Sequence, residues 1–162
     1  MTHKAKIIWE KQSTERFTDN KYSRRHRWIF DGGIEVAASS SPHVVPLPLS
    51  AENAVDPEEA FVASISSCHM LWFLSLAAKT RFMVEAYEDN AEGTMDKNEQ
   101  GVIAMTSVVL RPRIRFGGEK TPTPVEIDKL HHLAHENCYI ARSVKTQIQI
   151  VSTHTGRGGT DV

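Results

Sequence analysis

The stretch "DPEEAFVASISSCHMLWFLSLAAK", residues 56–79, constrains the fold more than any other part of the chain. From Ala60 to Ala78 it carries no formal charge, which approaches the length of a membrane span. It also holds four serines, a cysteine and a histidine, so a buried helix of a soluble protein is the better expectation. Its start is well marked. Asp56 suits the N-cap, Pro57 the first helical position, and Glu58 and Glu59 the positive end of the helix dipole. Helical spacing then sets Phe61, Ile65, Cys68 and Trp72 on one stripe through to Lys79.

Around this helix the pattern alternates with strands. Residues 5–11, 25–32 and 34–39 read as strands, with a turn at Asp31-Gly32-Gly33 between the latter two. Residues 40–55 hold three prolines and read as an extended loop. After the helix come long strands at 82–96 and 101–116, joined by the turn "KNEQG", then a loop at 117–124. Thr123-Pro-Val-Glu126 is a capping box that opens a second helix running to about Cys138. "YIARSV" continues as a short helix or turn, and 145–154 alternates as a final strand. This order is α+β rather than repeated βαβ, and 162 residues fit a single domain over 1–162.

Composition narrows the function classes. Charged residues make up 24% and the net charge is −1, so no overall basic field points to nucleic acid or an anionic membrane. The local cluster "RRHR" at 24–27 reads as a solvated strand or loop. The start lacks the pattern of a signal peptide, and a cytoplasmic protein is expected. Two cysteines 70 positions apart then argue against a disulfide scaffold.

Three readings of those cysteines stay open. Cys68 fits a small core residue, because a purely apolar setting makes a thiol unreactive. Reactivity needs a cation or a polar network, and the arginines near Arg24 form a cluster on another strand. His131, His135 and Cys138 share one helical face and resemble zinc ligands, with no obvious fourth unless Cys68 or His69 joins them. The third reading joins the two thiols in redox chemistry, one attacking an oxidant and the other resolving the sulfenic acid. Glu58 adds a geometric clue. It lies ten positions before Cys68, about 15 Å along a straight helix, so it cannot reach that sulfur directly. Any assistance from Glu58 goes to another subunit's Cys68 or acts through an arginine from a folded-over segment.

"DPEEAFVASISSC" resembles the signature of the OsmC/Ohr family, the osmotically inducible and organic hydroperoxide resistance proteins. "AHENCYIARSV" is similar to that family's second-cysteine motif, and the element order matches over nearly the whole chain. The resemblance implies an intertwined homodimer, with long central helices wrapped by antiparallel sheets. It implies a thiol-dependent peroxidase without metal, haem or other cofactor, acting on organic hydroperoxides and more weakly on hydrogen peroxide. By position Cys68 is then the peroxidatic cysteine and Cys138 the resolving one, forming a Cys68–Cys138 disulfide. Glu58 orients an arginine, mapped to Arg24 with Arg25 and Arg27 as competitors. A dithiol, of lipoyl or similar type, is the implied reductant.

The chain departs from the family pattern at Tyr139, where proline is usual, and at His69, after the first cysteine. Residues 38–55 form an unusual rim. The alternatives are a non-catalytic ligand-binding or stress-response dimer of the same fold, and the zinc protein described above.

Overall fold

The computed structural model describes residues 1–155. Its contacts group into two compact units, Met1–Ala60 and a second that begins at Phe61.

The first unit is a three-stranded antiparallel sheet in the order β1-β2-β3, formed by β1 (Ala5–Ile8), β2 (His26–Phe30) and β3 (Glu35–Ala38). The turn between β2 and β3 is where the sequence marks it. Gly33 takes φ +81°, a conformation that costs glycine little, and its N–H donates to the Phe30 carbonyl at 2.9 Å. The chain from Ser39 onward is less extended than its prolines suggest. Val55 bonds back to β3, Ser39 N–H to Val55 O at 3.0 Å and Val55 N–H to Ala37 O at 3.0 Å. This delivers Asp56 to the start of helix α1 (Pro57–Lys79). There Glu59 N–H donates to Asp56 Oδ1 at 2.7 Å, and Asp56 N–H donates to the Glu59 carboxylate at 3.3 Å. The expected N-cap is thus a reciprocal capping box.

The second unit holds the body of α1, then β4 (Met83–Asp89), β5 (Glu92–Lys97), β6 (Ile103–Leu110), β7 (Pro112–Gly117), α2 (Pro124–Asn137), β8 (Gln147–Ile150) and β9 (Thr153–Thr155). Each of the three long strands expected from sequence is broken in two. The halves serve different sheets, β4-β7-β9 and β5-β6-β8. The break has a local cause. Pro112 has no N–H to give a ladder and begins β7, while Arg111 N–H donates to the Asp89 carboxylate at 2.6 Å instead of to a strand. The last strand pairs in parallel, β8 with β6 and β9 with β7, so the sheets are mixed rather than purely antiparallel.

Two cores follow in this unit. Phe73, Ala77, Ile114, Phe116, Ile127 and Ala134 centre the larger one between α1, β7 and α2. Ile65, Val108 and Leu110 centre the other. The buried stripe of α1 is Ile65, His69, Phe73 and Ala77, at steps of four. It shares only Ile65 with the expected stripe; Phe61, Cys68 and Trp72 are half-buried at its margin. By length and composition α1 could cross a membrane, yet this seam is core. The close approach of β5 requires Gly93, where an added Cβ would lie 2.5 Å from Val62.

Candidate functional site

Both cysteines lie in the second unit, and two helices bring them together. Cys68 sits mid-helix in α1, half-buried. Cys138 is the C-cap of α2 and fully buried, its N–H bonded to Ala134 O at 2.9 Å. α2 is fixed at its other end by the capping box expected from sequence, with Glu126 N–H donating to Thr123 Oγ1 at 3.3 Å. After the cap the chain turns back, and Ala141 N–H points at Cys138 Sγ from 3.4 Å. Cys138 lies close enough to Cys68 for the two groups to interact, and both cysteines are free thiols. Burial, first, and then the neighbouring Cys68 push the Cys138 pKa up to about 11; the Ala141 N–H opposes the rise. Cys138 is therefore held as a thiol at neutral pH.

A second pair joins the same helices. His69 Nε2 lies 3.0 Å from His131 Nδ1, with the rings stacked at 5.3 Å and tilted by only 7°. Phe73 covers His131 at 4.5 Å between ring centres. Burial first, and nearby His135 second, lower the His69 pKa to about 4. Burial, then His69 and His154, lower that of His131 to about 3. Both rings are neutral at pH 7 and share one hydrogen. Among the described residues no three His, Cys, Asp or Glu side chains converge to hold a metal. Tyr139, where the family pattern has proline, packs edge-on against Trp72 at 5.7 Å, one turn beyond Cys68.

Arg24 and Glu58 lie in the first unit, on the wall of one cavity of about 520 Å³. Trp9, Phe17 and Tyr22 form its aromatic side, with ring centres 4.7 to 5.6 Å apart. Ser39 and Ser40 line the other side with buried hydroxyls that have no protein partner. The three competing arginines separate here. Arg25 is exposed and reaches Asn53 at 3.4 Å; Arg27 is exposed and pairs with Glu35 at 3.0 Å. Arg24 alone of the three lines the cavity. Its guanidinium covers the Tyr22 ring at 3.7 Å and donates to Tyr22 O and to the Asn20 side-chain oxygen, the latter at 2.9 Å. Among the described residues it makes no ion pair with Glu58, so the expected carboxylate–guanidinium pair is not formed. Ser39 and Ser40 fall within the rim expected at residues 38–55, while the aromatic side and His26 escape the sequence reading. Their signal was slight: isolated aromatics in a polar stretch and an alternation of Arg24, His26 and Trp28.

The architecture and the paired thiols define an α+β protein with two cysteines held together by two helices. The model of the OsmC-like protein family matches residues 50–153, and the chain belongs to that family. An OsmC-like protein of unknown function from Vibrio cholerae O1 biovar eltor is 56% identical over 94% of this chain and 99% of its own, with a TM-score of 0.92. An organic hydroperoxide resistance protein from Elizabethkingia anophelis shares the fold at 17% identity, covering 96% of each chain with a TM-score of 0.68. That of Bacillus subtilis does so at 14% identity, covering 96% of this chain and 98% of its own, with a TM-score of 0.62. A search of curated proteins finds no match.

Proposed function

We propose that this chain is a thiol-dependent peroxidase that reduces organic hydroperoxides, and hydrogen peroxide more weakly. The observation that carries the proposal is the proximity of Cys138, at the C-cap of α2, to Cys68 in the middle of α1, close enough for Cys68 to raise the Cys138 pKa. Two unbridged thiols brought near each other by two helices, Cys68 half-buried and Cys138 buried, suit a peroxidatic and a resolving cysteine. The hydroperoxide resistance proteins among the structural neighbours support the same chemistry.

In this reading the Cys68 thiolate attacks the distal oxygen of R–O–OH. The O–O bond breaks, Cys68 becomes a sulfenic acid, and RO⁻ leaves as the alcohol after taking a proton. Cys138 sulfur then attacks the Cys68 sulfenic sulfur. The S–OH bond breaks, a disulfide forms, and the Cys138 thiol proton departs with the hydroxide as water. A thiol with its pKa near 11 stays protonated until that step and brings the proton the leaving hydroxide needs. A dithiol reductant, of lipoyl type, returns both cysteines to thiols. Arg24 supplies the fixed cation that favours thiolate and peroxide, because a guanidinium keeps its charge at any working pH. Glu58 orients it, after the Arg24 side chain leaves Asn20 for the carboxylate. The working form is a cytoplasmic homodimer that needs no metal or other cofactor.

Steady-state peroxide consumption with a dithiol tests the proposal. Cys68→Ser abolishes turnover, whereas Cys138→Ser performs one turnover and accumulates a sulfenic acid that dimedone traps. Full turnover by Cys68→Ser would remove the proposal. A non-catalytic ligand-binding protein is the second reading, favoured by the aromatic cavity with its unpartnered Ser39 and Ser40 hydroxyls. It predicts tight binding of a small apolar molecule with no peroxide consumed.

A further inference from the structure

Arg24, His26 and Trp28 alternate along the chain as it enters β2, so their side chains point to one face. They are joined in a single run of hydrogen bonds. The Trp28 indole donates from Nε1 to His26 Nε2 at 2.9 Å. His26 Nδ1 lies 2.8 Å from the Arg24 carbonyl oxygen. An indole N–H only donates, so His26 Nε2 must be bare; a carbonyl only accepts, so His26 Nδ1 must carry the hydrogen. Both ends demand one form of the ring, the neutral Nδ1–H tautomer. Trp28 sets that tautomer, and the tautomer in turn holds Arg24.

The Arg24 main chain is pinned on its other side too, where its N–H donates to Leu49 O at 2.7 Å. With both peptide groups held, the Cα of Arg24 is fixed at the cavity wall. Its guanidinium starts from a fixed point, on Tyr22 and Asn20. His26 lines the same cavity and, among the described residues, touches no other side chain than Trp28 through its ring nitrogens.

We infer that His26, locked as its Nδ1–H tautomer by Trp28, is the positioning residue for Arg24. Its effect on catalysis rests on the peroxidase reading; its effect on Arg24 does not. Amide side chains separate the two nitrogens. Asparagine sets an N–H near the place of Nδ1 and keeps the bond to Arg24 O. Glutamine reaches the place of Nε2 and keeps only the Trp28 contact.

The experiment is the rate at which phenylglyoxal modifies each arginine, read by peptide mapping, with exposed Arg25 and Arg27 as internal standards. His26→Gln raises the Arg24 rate about tenfold, the size expected for one lost hydrogen bond, while His26→Asn stays within about twofold of the parent. Trp28→Phe frees the tautomer and behaves like His26→Gln. Adding His26→Asn to Trp28→Phe restores slow modification, because the amide needs no indole to orient its hydrogen. Equal Arg24 rates in His26→Asn and His26→Gln would overturn the inference, as would a slow rate in Trp28→Phe alone. The kcat/KM for cumene hydroperoxide is measured on the same proteins. A drop in His26→Gln that His26→Asn lacks, at unchanged melting temperature, extends the role to the reaction. If the parent protein consumes no peroxide while the phenylglyoxal pattern holds, the peroxidase reading fails and the positioning of Arg24 stands.

Discussion

At Cys68 and Cys138 the sequence and the structure meet most directly. Two cysteines 70 positions apart say nothing of distance, and only the packing of α1 on α2 brings them near enough to interact. The histidines were read less well. His131 looked like part of a ligand face because His135 and Cys138 share it, but face alone does not say where a ring points. Its partner is His69 on another helix, 62 positions away, a contact that no local pattern encodes. The pair gives a pH prediction. Unfolded, both imidazoles bind a proton below about pH 6.5; folded, they stay neutral down to about 4 and about 3. The unfolded chain therefore binds more protons across this window, so stability is full above pH 6.5 and falls as pH falls. The slope approaches about 1.4 kcal/mol per pH unit for each ring. Urea unfolding at pH 7, 5.5 and 4.5 checks it. The midpoint drops steadily in the parent and much less in His69→Leu/His131→Leu; equal slopes in the two proteins would rule this cause out.

The elements themselves were legible in their cores and illegible at their joints. Capping residues at Asp56 and Thr123 mark both helix starts correctly, because a cap is a local hydrogen-bond solution. Thr123→Ala removes the capping bond of α2 and costs about 1 kcal/mol, measured as a shift in urea midpoint. No shift would mean that the Pro124 start and the packing of Ile127 suffice. The broken strands were missed for the opposite reason. Residues 82–96 and 101–116 keep strand-forming composition through the break, and the change of sheet depends on partners far along the chain. Pro112 was the available signal, since a proline within a strand run suits a strand start. Asp89 accepts the Arg111 N–H at this break. Asp89→Ala leaves the Arg111 N–H without its carboxylate, and hydrogen exchange at Arg111 speeds up while Val108, deep in β6, stays protected. Uniform exchange across both residues would show that the break needs no side chain.

For the molecule as a whole, family membership places the two cysteine motifs within an OsmC-like fold. The remaining claim at this scale is the proposed homodimer. α1 leaves Ala63, Ser67, Leu71 and Ser75 exposed at steps of four, and Leu71 is 61% exposed. Small residues with one leucine suit a helix packed closely on its own copy. Light scattering then gives twice the chain mass of 18.2 kDa, and Leu71→Glu shifts it toward the single chain. A parent protein that scatters as one chain at micromolar concentration contradicts the dimer.

The central claim is that Cys68 and Cys138 act as one redox pair. Its most direct test adds one equivalent of cumene hydroperoxide to the reduced protein, followed by intact mass and peptide mapping. The account predicts loss of two hydrogens per chain, a single cross-linked peptide joining Cys68 to Cys138, and one cumyl alcohol released per bridge. Two free thiols with the peroxide unconsumed, or oxidation that leaves Cys138 untouched, would contradict it.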